Sequence, residues 1–204
     1  MSAKTSKPYR MVISGVGGQG LMLIARILGE ACNNANIPFT SLEDHGMSQR
    51  GGSISLKLQF GENFGLDFLP GKADSIIAME PMEATRHIHA LKPKGILIVD
   101  TTPIEPLTIS MNKENQYPSI NDLLKPFDRL DTQVISLKAR EEADKLGNAK
   151  VANIILLGAA LATKTLPLDI KQIEEVLKEI LTTKILDINL KALNKGFDLG
   201  RSDL

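Results

Sequence analysis

The chain is short of several things at once: it has one cysteine, no tryptophan, three histidines and no net charge across 204 residues. A single thiol, Cys32, excludes an internal disulfide, and this chain by itself cannot hold an iron–sulfur cluster, which takes four cysteines. The histidines, His45, His87 and His89, come without a cysteine or carboxylate pattern in metal-ligand spacing. Two residues apart, as His87 and His89 are, side chains do not share a helix face. No metal site is expected, and these two histidines read as surface residues. The 24 Lys and Arg balance 24 Asp and Glu, so the basic excess of a dedicated nucleic-acid binder is missing. The greasiest stretch, Val151 to Leu161, falls short of the roughly 20 apolar residues that span a bilayer, and it contains Asn153. Met1 to Arg10 is polar, without the apolar core of a signal peptide. A cytoplasmic protein that works without nucleic acid or membrane is the expectation. A Ser/His/Asp set on a nucleophile elbow and a Tyr-x-x-x-Lys pair are also missing, so no catalytic residue is assigned.

What is present is ordinary globular composition, 43% hydrophobic and 24% charged, enough for one domain over residues 1–204. Apolar runs at Tyr9–Ser14, Pro38–Glu43, Ser75–Met79, Ile96–Asp100 and Thr132–Leu137 read as strands. Helices are expected at Gln19–Asn34, from Pro81 to about Leu91, at Ala139–Leu146, at Val151–Thr163, from an Asp169 cap to Leu181, and at Thr183–Phe197. Ser119–Leu124 reads as a short helix in the irregular, proline-rich middle. Ile54, Leu56, Leu58 and Phe60 alternate with Ser53, Ser55, Lys57 and Gln59, which predicts a strand with one wet face. Phe64–Phe68 is expected to return beside it as a hairpin across the turn Gly61-Glu62-Asn63. The fold class is therefore α/β: a mostly parallel sheet flanked by helices, with an antiparallel hairpin and a helical C-terminal part. Val151–Thr163 is apolar on every side and must be buried on every side, either under another subunit or under the last two helices.

Gly15-Val-Gly17-Gly18-Gln19-Gly20 follows the first strand and opens the first helix. Strand, glycine turn and helix together make a ready anion site, and the spacing fits the dinucleotide fingerprint. That fingerprint also needs an acid at the end of the next strand, roughly 20 residues on; Glu43 and Asp44 come a little late. The polar, glycine-bearing segment Asp44-His45-Gly46-Met47-Ser48-Gln49-Arg50-Gly51-Gly52 then replaces a quick return into a helix. No second domain is large enough to hold a substrate against a nicotinamide. A free-standing nucleotide-binding protein stays open as an alternative, but a small α/β domain with two glycine segments and no catalytic set reads as part of a larger enzyme.

Three segments in order, Gly15–Gly20, His45–Ser53 and Glu80-Pro81-Met82-Glu83-Ala84, resemble the gamma-type domain of the 2-oxoacid:ferredoxin oxidoreductases. The likeness continues through Leu91–Ile104, Gly147–Asn153 and Leu190–Phe197, covers nearly the whole chain, and is strongest toward the branch acting on indolepyruvate. Ser48 and Asp100 depart mildly from the family's frequent Ala and Asn. The resemblance implies a small subunit supporting CoA-dependent oxidative decarboxylation of a 2-oxoacid to an acyl-CoA and CO2, and one that is inactive alone. Sister enzymes acting on pyruvate, 2-oxoisovalerate or 2-oxoglutarate share the domain. Thiamine diphosphate and the iron–sulfur clusters are implied for a large alpha subunit, with ferredoxin as electron acceptor; no cofactor is expected on this chain alone, though CoA is a candidate contact. The two glycine segments are expected to meet at the C-terminal edge of the sheet. There Gly15, Gly17, Gly18, Gln19, Gly20, His45, Gln49, Arg50, Gly51 and Gly52 would bind a ligand or shape the subunit interface. In the first case the N–H groups of Gly17, Gly18 and Gln19, with Arg50 and His45, would take an anion: a CoA phosphate, a substrate carboxylate or a carboxylate of the alpha subunit. Gln19 would hydrogen-bond across the interface, and Glu80 before Pro81 would cap its helix.

Overall fold

A computed structural model describes residues 8–45, 52–62, 65, 67–104 and 116–202. Six strands form one sheet in the order β2-β3-β1-β4-β5-β6. They are β1 (Tyr9–Val16), β2 (Phe39–His45), β3 (Ser53–Phe60), β4 (Ala73–Ala78), β5 (Leu91–Asp100) and β6 (Gln133–Leu137). From β1 to β6 the neighbours are parallel, whereas β3 runs antiparallel to both β1 and β2. The seven α-helices among the described residues are α1 (Leu21–Asn34), α2 (Pro81–His87), α3 (Ile120–Leu124), α4 (Ala139–Lys145), α5 (Ala152–Ala162), α6 (Ile170–Ile180) and α7 (Thr183–Ser202).

Strand periodicity divides the core in two. Met11, Ile13, Leu56, Leu58, Ile77 and Ile98 face one side, where α1, α5, α6 and α7 bury the larger cluster. Val12, Ile76, Ala78, Leu97 and Val99 face the other, covered by α2 and by Phe68 and Phe127. Helices on both faces of a largely parallel sheet satisfy strands that are apolar on both sides.

Several expectations need correction. The antiparallel hairpin is β2–β3, and Phe64–Phe68 is not its second arm: both edges of β3 are already paired, and the described residues of that stretch form no strand. Phe68 instead enters the smaller core. The supposedly wet face of β3 is largely covered as well, with Ser55 and Gln59 buried and Gln59 Nε2 donating to Gly65 O at 3.0 Å. The helix after Glu80 ends at His87 and gives way to a 3-10 turn, so that Leu91 already belongs to β5. Lys94, at φ 58°, accommodates the register shift by which β5 enters the sheet. The last helix runs on past Phe197 to Ser202.

The apolar helix α5 is buried by the chain itself. Asn153 through Ala162 all lie inside, and α7, α4, α1 and the sheet pack around it. Its contact with α7 is a close crossing of backbones: a Cβ placed on Gly158 would lie 2.1 Å from Leu193 O, and one on Gly196 only 1.9 Å from Ile155 O. Dispersion and burial then act over nearly the full length of α5 without large side chains. Asp169 caps α6 as the sequence indicated, through a reciprocal capping box with Gln172.

Candidate functional site

The C-terminal ends of the parallel strands, and the N-terminal end of antiparallel β3, lie on one edge. In open α/β sheets ligands bind in the crevice outside this edge, where successive crossovers leave in opposite directions. Here α1 leaves β1 toward one face and α2 leaves β4 toward the other, so the switch point falls between β1 and β4.

The glycine turn lies at that point, and its residues are held mainly by the chain's own atoms. Gln19 folds back into the turn: its Oε1 accepts from Val16 N–H at 2.7 Å and its Nε2 donates to Met79 O at 2.8 Å, tying β1 to the end of β4. Both polar atoms of the Gln19 side chain thus have internal partners. Gly17 N–H donates to Gly52 O at 3.0 Å and Gln19 N–H to Val16 O at 3.3 Å. The first of these bonds joins the two glycine segments, as expected from the sequence. Gly15 admits no Cβ, which would fall 2.6 Å from Gln19 Oε1 and 2.9 Å from Met79 Cβ. Gly20 has φ 80° and sits against Asn153, whose Nδ2 donates to Gly20 O at 3.2 Å. Gly18, at φ 98°, is exposed. The backbone of His45 closes β2 on the same edge; Gln49, Arg50 and Gly51 lie outside the described residues.

This geometry departs from a dinucleotide cradle in two ways. Most of the turn's N–H groups point inward to protein acceptors. Moreover, β3 is inserted between β1 and β2, which carries Glu43 and Asp44 a second strand spacing, about 4.8 Å, further from the turn.

Beside the turn opens a cleft of about 310 Å³, whose polar walls are Gly18, Gln19, Asp100, Arg140, Lys150 and Asn153. Asp100 ends β5 and is buried. Burial pushes its carboxyl above the usual range, opposed by the Thr102 N–H, which donates to Oδ1 at 3.0 Å, and by the Arg140 guanidinium. Arg140 stands in the first turn of α4, and Lys150 in the 3-10 turn leading into α5. A half-buried arginine and an exposed lysine above a glycine turn can hold an anionic group, the arginine through its planar fork. Sequence reasoning did not assign Asp100, Arg140, Lys150 or Asn153 to a site. The available signal was Asn153, a polar residue in an otherwise apolar helix.

On the opposite face of the same edge lies a buried pair of carboxylates. Glu80 caps α2, as expected, accepting from Glu83 N–H at 3.0 Å, and also accepts from Tyr117 Oη–H. Glu83 accepts from Ser53 Oγ at 2.5 Å and pairs with Arg86 at 3.3 Å. Burial pushes the Glu83 carboxyl up, and the Ser53 hydrogen bond works against it. Through Ser53, this pair anchors the point where the second glycine segment rejoins the sheet.

Metal chemistry finds little support in the donors. Cys32 is fully buried in α1 and desolvation pushes its thiol up to about 12, the opposite of what a thiolate ligand needs. Among the described residues no group of three His, Cys, Asp or Glu side chains could hold an ion. His89 is exposed and His87 half-buried. Nor is any helix among the described residues long and apolar enough to cross a membrane.

The family model described as pyruvate ferredoxin/flavodoxin oxidoreductase matches residues 10–199. The chain is 36% identical to indolepyruvate oxidoreductase subunit IorB of Thermococcus kodakarensis, over 93% of this chain and 95% of that one. It is equally identical, at 36%, to the IorB subunit of Pyrococcus horikoshii, over 95% of each chain. Among solved structures, the gamma subunit of a keto/oxoacid ferredoxin oxidoreductase from Geobacter sulfurreducens superposes with a TM-score of 0.70 at 23% identity, over 95% of this chain and 99% of that one.

Proposed function

The chain belongs to the pyruvate ferredoxin/flavodoxin oxidoreductase family, and we propose that it is the small subunit of a heteromeric enzyme that oxidatively decarboxylates indolepyruvate or a related arylpyruvate. The product would be the acyl-CoA, with CO2 released and electrons passed to ferredoxin. The observation that carries this reading is the 36% identity, over nearly the whole length of both chains, to subunits named for indolepyruvate. When bound, thiamine diphosphate would supply carbanion stabilisation and iron–sulfur clusters the one-electron steps. The clusters are assigned to the large partner because this chain offers one inaccessible thiol, and thiamine diphosphate is assigned there because the family resemblance implies it.

In this reading the C-terminal edge of the sheet faces the large subunit. The glycine turn, closed by its own hydrogen bonds, shapes that surface. The anion-binding role passes from the turn amides to Arg140 and Lys150, with Arg50 as a further candidate, and the anion is a CoA phosphate or the 2-oxoacid carboxylate. Inward-turned amides and displaced acids count against the alternative of a free-standing nucleotide binder.

Co-expression with a thiamine-dependent large subunit tests the proposal. The two chains are expected to co-purify and to reduce ferredoxin with indolepyruvate and CoA, while the isolated small chain is inactive. A higher kcat/KM for pyruvate, 2-oxoisovalerate or 2-oxoglutarate would move the enzyme to a sister branch. Arg140→Ala and Arg50→Ala should each raise the KM for CoA or 2-oxoacid without loss of co-purification. Unchanged Michaelis constants in both would leave this edge with an interface role alone.

A further inference from the structure

Asn153 is the one polar residue of α5, which is otherwise built of Ala, Ile, Leu and Gly. It is 3% exposed and stands in the first turn of the helix, just after the 3-10 turn that carries Lys150. Its Oδ1 accepts from Ile154 N–H at 2.9 Å, which fixes the amide, and its Nδ2 donates to Gly20 O at 3.2 Å.

The bond to Gly20 is not there to satisfy a stranded acceptor. Gly20 O already accepts from Leu23 N–H at 3.1 Å and from Ile24 N–H at 3.4 Å in the first turn of α1. Nor does α5 gain from it as a helix. Asparagine is a poorer helix former than alanine or leucine, and burying its amide costs desolvation that the hydrogen bonds must offset. A residue that breaks the local rule of its element, with no return to that element, points to a site.

The site is the cleft beside the turn. One wall is the glycine turn, through Gly18 and Gln19; another is the start of α5 and the 3-10 turn before it, through Ala149, Lys150 and Ala152. Asn153 also lines the cleft and bonds from the second wall to the first. Gln19 ties the turn to β1 and β4 through Val16 and Met79, but not to α5. The amide of Asn153 supplies that missing tie. Gly20, which it holds, is the residue where the turn becomes α1, at φ 80°.

We propose that Asn153 is a positioning residue: by holding Gly20 it sets the spacing between the two walls, and through that spacing the affinity of the cleft for its ligand. The role rests on the reading of the cleft as the place that takes a CoA phosphate or the 2-oxoacid carboxylate. Binding groups act only when held close to their productive geometry, and displacements of about 1 Å are costly.

Steady-state kinetics of the co-expressed complex, followed by ferredoxin reduction, test it. Arg140→Ala identifies which Michaelis constant the cleft sets, that for CoA or that for the 2-oxoacid. Asn153→Ala should raise the same constant about fivefold, the size of one hydrogen bond's net contribution, and leave kcat and the other constant within about twofold. Ile173→Val, buried in α6 and outside the cleft, removes stability alone and should leave both constants unchanged. Gly20→Ala breaks the bond from the other wall, since its Cβ would fall 2.5 Å from Asn153 Nδ2. It should raise the same constant, and the double variant with Asn153→Ala should match the worse single one. A constant raised by Arg140→Ala but unmoved by Asn153→Ala would overturn the positioning role and spare the reading of the cleft. Equal rises in Asn153→Ala and Ile173→Val, or effects that multiply in the double variant, would overturn it too. Constants unchanged in every variant, Arg140→Ala included, would remove the ligand reading of the cleft and this role with it.

Discussion

Glycine is indispensable in two regions of this molecule, and the two differ in what stands in its way. In the turn, a Cβ on Gly15 or Gly20 meets chiefly side-chain atoms: Gln19 Oε1 at 2.6 Å for the first and Asn153 Nδ2 at 2.5 Å for the second. Between α5 and α7, a Cβ on Gly158 or Gly196 meets backbone: Leu193 O at 2.1 Å and Ile155 O at 1.9 Å. A side chain can rotate or be trimmed, whereas a packed helix backbone can only move as a body. The turn looks like a ligand cradle because its glycines are close in sequence, yet its atoms are largely engaged in holding β1, β4 and the second glycine segment together. The helix pair matches no motif, yet it tolerates less.

The largest expected effect follows from that rigidity. Gly196→Ala would gain about 1 kcal/mol of helix propensity but force α7 off α5, for a net loss on the order of 3 kcal/mol. Urea unfolding measures it, and a loss below 1 kcal/mol would show that the crossing can give. No trimming of a neighbouring side chain should rescue it, because Ile155 presents its carbonyl.

Next comes Gln19→Ala, which strips the partners of Val16 N–H and Met79 O. With one of these groups half-buried, about 1–2 kcal/mol should be lost. The same variant should partly relieve Gly15→Ala, leaving the contacts with Met79 Cβ at 2.9 Å and Leu21 Cδ1 at 3.1 Å. Strictly additive losses in the double variant would contradict the side-chain account. Gly20→Ala should cost at least as much. Its left-handed φ costs about 1–2 kcal/mol, and the clash with Asn153 adds to that. Combining it with Asn153→Ala should recover at least about 0.5 kcal/mol relative to the sum of the single losses.

The same contrast explains what could be read from the sequence. Strand, turn and helix at Tyr9–Asn34 are local, and so are the Asp169 and Glu80 caps; each is legible from a few neighbouring residues. Alternation in β3 reveals two faces but not which strands lie beside it, so the insertion of β3 between β1 and β2 was hidden. With it went the displacement of Glu43 and Asp44. Coverage of Gln59 depends on a segment that follows β3 and crosses its face, which periodicity cannot report. The cleft combines Gly18 with Asp100, Arg140, Lys150 and Asn153, drawn from four separate parts of the chain. Only Asn153 was conspicuous where it stood, and its partner Gly20 is 133 residues away.

The smallest expected effect concerns charge in that cleft. Burial raises the Asp100 carboxyl in the folded chain, so between its unfolded and folded pKa values the folded state holds more protons than the unfolded one. Stability from this group is accordingly greatest at low pH and is lost as pH rises from the ordinary Asp value, about 3.9, through the folded value. Asp100→Asn keeps the shape and the acceptor for Thr102 N–H while removing the ionisation. Relative to that variant, the wild type should lose stability as pH is raised from 4 to 8, by an amount moderated by Arg140. Thermal unfolding of both proteins across the range reads the difference directly. A wild type that instead gains on the variant with rising pH would mean that Arg140 outweighs desolvation. Arg140 would then be committed to Asp100, leaving Lys150 as the cleft's free cation for an incoming anion.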